Sequence, residues 1–326
     1  MRNWPAALSD SWFPEVPAKR IALLRIAAGL FSLWYVGTRF EMFGEIGETN
    51  HVLFDPVGLA TLLDGPITAD AHTAIVALTL FTNILFILGW RHRWTGPLFS
   101  LLLLFVLSYR NSWAMIYHSR NLLVLHILIL GFVQSADACS LDSARRRRRG
   151  LEASPQVHWQ YGWPIRLLCG VTLATYCVAG IAKVTGELGW SWMAGAALRD
   201  QIAVDALRKE LLGSSAQPLA FTLYDQIWLF SLAGTGTLLL ELGAPFALFH
   251  KTLSTLWVFG AFSMHWGILL VMGIEFRYQL SGLVFLSFFE IERAVAAVQS
   301  KAAAAQSMVV ARIRGVESFH PPPPAG

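Results

Sequence analysis

Residues 163–184 read WPIRLLCGVTLATYCVAGIAKV, an apolar run that ends on Lys183 and is followed by Gly186 and a Trp-rich stretch. It is as long as the roughly 20 residues a helix needs to cross the hydrocarbon core of a bilayer. Gly180, near its end, permits close contact with a neighbouring helix. A spanning helix that carries an ammonium just before it reaches water is the feature on which the reading turns.

The rest of the chain repeats the apolar pattern. It is 55% hydrophobic and 14% charged, with 13 Trp, 21 Phe and a mean hydropathy of +0.51. Soluble domains carry about 25% charged residues, so a single soluble core does not account for this composition. The expected fold class is all-α, a polytopic transmembrane helical bundle. Candidate spans fall at 21–39, 72–90, 96–110, 112–133, 163–184, 226–249, 252–274 and 278–290, about eight in all. The third and last are short enough for half-helices or re-entrant pieces. Residues 1–19 then form an N-terminal segment, 20–292 the membrane domain, and 293–326 a tail in which KAAAAQS precedes PPPPAG, a helix fraying into polyproline.

Loop charge orients the spans. Lys19 and Arg20 precede the first, Arg91 and Arg93 lie in GWRHRWTG after the second, and Arg145–Arg149 follow the fourth. His250 and Lys251 follow the sixth, whereas residues 41–71 hold six carboxylates and neither Lys nor Arg. These clusters share one side if both termini are cytoplasmic, which implies an integral protein of a plasma or inner membrane if the source is prokaryotic. The arginine run reads as a topological anchor on anionic lipid, not as a nucleic-acid patch. The first residues lack a signal-peptide h-region, and Cys139, Cys169 and Cys177 form no CxxC or disulfide framework. Residues 185–225, with Trp190, Trp192, Leu198 and Ile202, suit a helix lying in the outer interface.

Ionisable groups at membrane depth cost about 2.5–3.5 kcal/mol each on insertion scales, which makes each a functional candidate. SYRNSWAMIYHSRN, residues 108–121, brings Asn111, His118 and Asn121 to the outer junction of spans three and four. His118 and Asn121 share a face if helical and could wall a ligand, or could satisfy backbone in a re-entrant turn. His126 lies further along the same helix, and no carboxylate or second close histidine completes a metal site. Lys183 either snorkels to the headgroups or is a desolvated general base. Glu241 in LLLELGAPF and His265 in FSMHWGIL are expected to bond each other between helices, and Arg25 in LLRIAAGL to snorkel to the cytoplasm. GTGT at 234–237 lacks the lysine and context of a phosphate loop, and no GxSxG, HExxH or kinase signature occurs, so no nucleotide is expected.

Taken together, YCVAGIAKVTG followed by WMAG (192–195) resembles the segment bearing the catalytic lysine of vitamin K-dependent gamma-carboxylases, within the wider HTTM family of membrane domains. LLRIAAGL, YRNSWAMIYHSRN, CSLD, LLLELGAPF and FSMHWGIL extend the similarity, in family order, over residues 20–290. The resemblance implies a reduced quinone, oxygen and carbon dioxide as reactants. Lys183 would be the base that deprotonates the quinol, and the resulting alkoxide would remove a glutamate γ-proton. His118 or Asn121 would stand for the family's asparagine–histidine pair, with Asn111, Tyr176, Trp192, Glu241 and His265 around the ligand. The carboxylases continue into a large lumenal substrate domain, whereas this chain ends in its proline-rich tail. The spacing from Lys183 to Trp192 is also longer here. Carboxylation by this chain alone is therefore not expected. A separately encoded exported domain, or a secreted peptide matured or resisted by a non-catalytic scaffold, is the implied partner besides membrane lipid.

Overall fold

A computed structural model of the chain describes residues 11–113, 116–151 and 156–317. Among these, the only sheet pairs two-residue strands antiparallel, β1 (Val16–Pro17) and β2 (Val157–His158), with Val16 opposite His158. Everything else that is regular is helical. The helices are α1 (Ala18–Gly37), α2 (Phe40–Glu45), α3 (Ala69–Leu88), α4 (His92–Asn111), α5 (Asn121–Phe132), α6 (Leu141–Arg148), α7 (Trp159–Thr185), α8 (Ala196–Leu211), α9 (Pro218–Thr222), α10 (Ile227–Gly243), α11 (Lys251–Met272), α12 (Arg277–Leu280) and α13 (Ile291–Glu317). A 3-10 turn, Ala244–Leu248, extends α10. By length and apolarity α1, α3, α7, α10 with that turn, and α11 can each cross a membrane. The chain is thus an all-α protein with the elements of an integral membrane protein.

Three expected spans differ in extent. The third helix begins at His92 rather than residue 96, because the Asp142 carboxylate accepts from the Arg91 and His92 amides at 2.9 and 2.8 Å. This cap comes from a distant segment and also places a negative charge at the helix's positive end. The fourth is helical only from Asn121, after a 3-10 turn at His118–Arg120. The last breaks at Gly282, where φ is +74°, between α12 and a 3-10 turn at Leu283–Phe288. Residues 185–225, where an interface helix is expected, contain the helix α8.

Arg25 does not snorkel. Its side chain is 0% exposed, and its Nη1 donates to the Ser135 carbonyl at 2.9 Å. Its Nη2 donates to the Cys139 and Ile87 carbonyls at 2.8 and 3.3 Å. Ile87 is in the last turn of α3, where carbonyls have no intrahelical donor, so one guanidinium closes a helix end and the 133–140 loop together. Gly29 faces Ile87, and Gly96 faces the Gly131 carbonyl, so α1/α3 and α4/α5 pack closely and antiparallel.

The chain divides into two compact units, Met1–Phe288 and Phe289–Gly326. The second consists of α13 among its described residues. The polyproline end, expected to fray, lies outside the described residues.

Candidate functional site

Helix α7 presents Thr172, Tyr176, Gly180 and Lys183 at spacings of four, four and three, which stack on one face of an α-helix. Each polar member finds a partner on a different segment. Thr172 Oγ1 lies 2.9 Å from Nε2 of buried His126 on α5, whose Nδ1 lies 3.0 Å from the Tyr278 hydroxyl of α12. The Tyr176 hydroxyl lies 2.7 Å from His265 Nε2 on α11. Lys183 Nζ donates to both carboxylate oxygens of Glu241 on α10, at 2.6 and 2.8 Å. Gly180 makes the last pairing possible, since a Cβ there would come within 2.8 Å of Glu241 Cβ. The expected bond between Glu241 and His265 is therefore absent: each turns to α7 instead of to the other.

Depth follows from the antiparallel register of α7 and α10. Arg166 donates to the Leu248 carbonyl, Gly180 abuts Glu241, and Gly234 abuts the Trp192 carbonyl. Roughly 20 Å of α10 lies between Glu241 and its start at Ile227, at ~1.5 Å per residue. Residues 189–194 continue along that stretch beyond the end of α7. Lys183 thus closes its own helix yet meets α10 well inside that helix's length. Its side chain is 24% exposed and that of Glu241 6%, so the ammonium turns inward to a buried carboxylate. The Trp192 ring, 5.8 Å from Nζ, makes a cation–π contact with it.

His118 is exposed, with its ring 5.7 Å from that of Phe276, which is in turn 4.8 Å from His265. Phe276 therefore separates a surface histidine from a buried one. Asn111 accepts from the Tyr117 amide at 3.1 Å, and Asn121 is exposed at the first turn of α5. Lys183, Glu241, Tyr176, His265 and Trp192 form one neighbourhood, with Trp257 packed edge-on to Tyr176 at 4.9 Å. His265 Nδ1 is buried without a partner, so the cluster retains hydrogen-bonding capacity.

Two features escape sequence reasoning. The His126–Thr172–Tyr278 link joins three segments that no spacing rule connects. Arg39, Arg110, Arg120 and Arg277 gather at the end where α1, α4 and α11 finish, so that end is not poor in basic residues as the loop charges implied. Among the described residues no three His, Cys, Asp or Glu side chains are grouped to hold a metal. No protein-family profile, curated protein or solved structure matches this chain.

Proposed function

We propose that the chain is an integral membrane protein of the HTTM type, with about eight segments crossing or entering the bilayer and both termini cytoplasmic. On this reading the α7–α10–α11 cluster handles protons for an apolar ligand of the quinol class. The observation that carries it is the pair of polar couples, part-buried Lys183–Glu241 and buried Tyr176–His265, on one stripe of α7. The unpartnered His265 Nδ1 suits a ligand oxygen, and the Tyr176, Trp192 and Trp257 rings suit an aromatic ring system. A bound reduced quinone would supply electrons for reaction with oxygen, with carbon dioxide added in a carboxylase-like version.

The chain's own contribution is proton placement. A proton passed from Nζ to the Glu241 carboxylate, which it contacts at 2.6 and 2.8 Å, would free Nζ to accept one from the quinol. Lys183 then acts as the base, and Glu241 holds the proton that would otherwise block it. His118, on the solvent side of Phe276, would meet the ligand at its entrance, with Asn111 and Asn121 lining the approach. A second reading, a non-catalytic scaffold for maturation, export or resistance to a secreted peptide, draws on the same pair. Both Glu241 oxygens on one ammonium are what a purely structural ion pair would display.

The two readings separate in proteoliposomes supplied with a reduced naphthoquinone and oxygen. The enzyme reading expects quinol consumption by the wild type and at least a hundredfold loss in Lys183→Ala, the low end of general-base contributions of roughly 10²–10⁴. Lys183→Met combined with Glu241→Leu removes both charges and is expected to fold but stay inactive. Equal quinol consumption by wild type and Lys183→Ala would refute the role of the lysine.

A further inference from the structure

Four arginines from four segments meet at the end of the bundle where α1, α4 and α11 finish, linked through aromatic rings. Arg277 and Arg39 lie 6.0 and 5.7 Å from the Trp34 ring, and Arg39 and Arg120 lie 4.5 and 5.3 Å from Tyr35. Arg120 and Arg110 lie 4.9 and 3.9 Å from Tyr117. Arg120 Nε also donates to the Tyr35 hydroxyl at 2.5 Å, and Arg277 pairs with Glu275. Among the described residues Glu275 is the one carboxylate paired with any of the four. Arg110 Nη1 is buried with no partner. Burial first, and then the Arg277 charge beside it, lowers Arg39 from its ordinary value, so the cations act on one another. Like charges held this close at reduced dielectric call for a compensating anion.

A narrow cleft, open to solvent at its mouth and with room inside for about one water, lies between Arg120 and Arg277, lined also by Tyr35, Tyr278, Phe31, Leu123, Ser119 and Glu275, the carboxylate that pairs with Arg277. Guanidiniums on two sides suit a tetrahedral oxyanion, since the arginine fork bonds phosphate bidentately. Trp34, 47% exposed beside these arginines, and Leu30, 51% exposed one turn before it, present an apolar face at the level where interfacial tryptophans sit. We propose that the mouth of this cleft is a phosphate-binding site, with Arg120 and Arg277 holding the oxyanion and the exposed Trp34 and Leu30 receiving the apolar part of a phospholipid. The site owes nothing to quinol chemistry and stands or falls apart from it.

The test uses the full chain in phosphatidylcholine nanodiscs alone, with phosphatidylglycerol, or with inorganic phosphate. Thermal midpoint and apparent affinity are read in wild type, Arg120→Gln, Arg277→Gln and, as a control from the opposite end, Arg147→Gln. Phosphatidylglycerol is expected to raise the midpoint. Each cleft variant should weaken its apparent affinity about tenfold, as expected for a lost charge-assisted hydrogen bond, while Arg147→Gln retains most of it. Stabilisation by inorganic phosphate alone, lost in the same variants, supports the site and makes a soluble phosphate its ligand. If a glutamine variant does not fold, Arg120→Lys keeps the charge without the fork and is expected to bind more weakly than wild type. The proposal is overturned if neither phosphate source stabilises the wild type, or if the cleft variants respond as the wild type does.

Discussion

At the scale of single residues, Arg25 differs most from what its position suggests. One turn inside an apolar helix, an arginine is expected to reach back to water, yet Arg25 reaches sideways and donates to three carbonyls. Arg25→Leu would strand those acceptors in a dry interior, where an unsatisfied buried group costs about 1–3 kcal/mol. A loss of roughly 3 kcal/mol or more is expected, with Arg25→Lys intermediate because an ammonium lacks the planar fork. Reversible unfolding in mixed micelles measures this, and a change within about 0.5 kcal/mol would show that the carbonyls find other donors. Legibility divides along the same line. The cost of ionisable groups in lipid singles out Lys183, Glu241, His265 and Arg25 from the sequence. It is silent on which groups pair, because pairing depends on helix rotation and on small residues such as Gly180 that let one backbone approach another.

At the scale of elements, local pattern located the long helices, and contacts between segments set the rest. α4 gains its first turn from the Asp142 carboxylate some fifty residues away, a cap no window along the sequence contains. α5 is short because the chain before it bridges elsewhere, with Trp113 pairing with Phe54 and Asn111 holding the Tyr117 amide. What fixes α5 against α4 is a seam of small residues. Ser100 Oγ donates to the Gly96 and Ile127 carbonyls, both at 2.9 Å, directly opposite Gly131. A Cβ at Gly131 would stand 2.0 Å from Ser100 Oγ and 2.7 Å from the Gly96 carbonyl oxygen, and the latter is backbone that cannot rotate away. Gly131→Ala should therefore separate the two helices and cost about 1–3 kcal/mol, the usual range for overpacking. Gly236→Ala on α10, which meets nothing within 4 Å, is the matched control. Equal unfolding midpoints for the two variants would mean that the seam yields without penalty.

At the scale of the whole molecule, the two ends of the bundle carry basic residues of different kinds. Arg39, Arg110, Arg120 and Arg277 are threaded among aromatic rings and Glu275, whereas Arg145–Arg149 form an uninterrupted run on α6 and its C-cap, where Arg146 pairs with Asp137 at 2.9 Å. Arg91, Arg93, Lys19 and Arg20 flank the helix ends on that second side. The positive-inside bias follows the numerical excess of Lys and Arg in short loops near the helix ends, so the proposed topology expects the α6 end to face the cytoplasm. Cys139 tests this directly, because it is exposed in the loop before α6, whereas Cys169 is buried and Cys177 partly so. In a Cys169→Ala/Cys177→Ala background, a membrane-impermeant maleimide should leave intact cells unlabelled and label Cys139 once the inner membrane is permeabilised. Comparable labelling of intact and permeabilised cells would invert the topology. It would place Lys183's open side and the arginine-lined cleft toward the cytoplasm, and with them whatever supplies the proposed ligands.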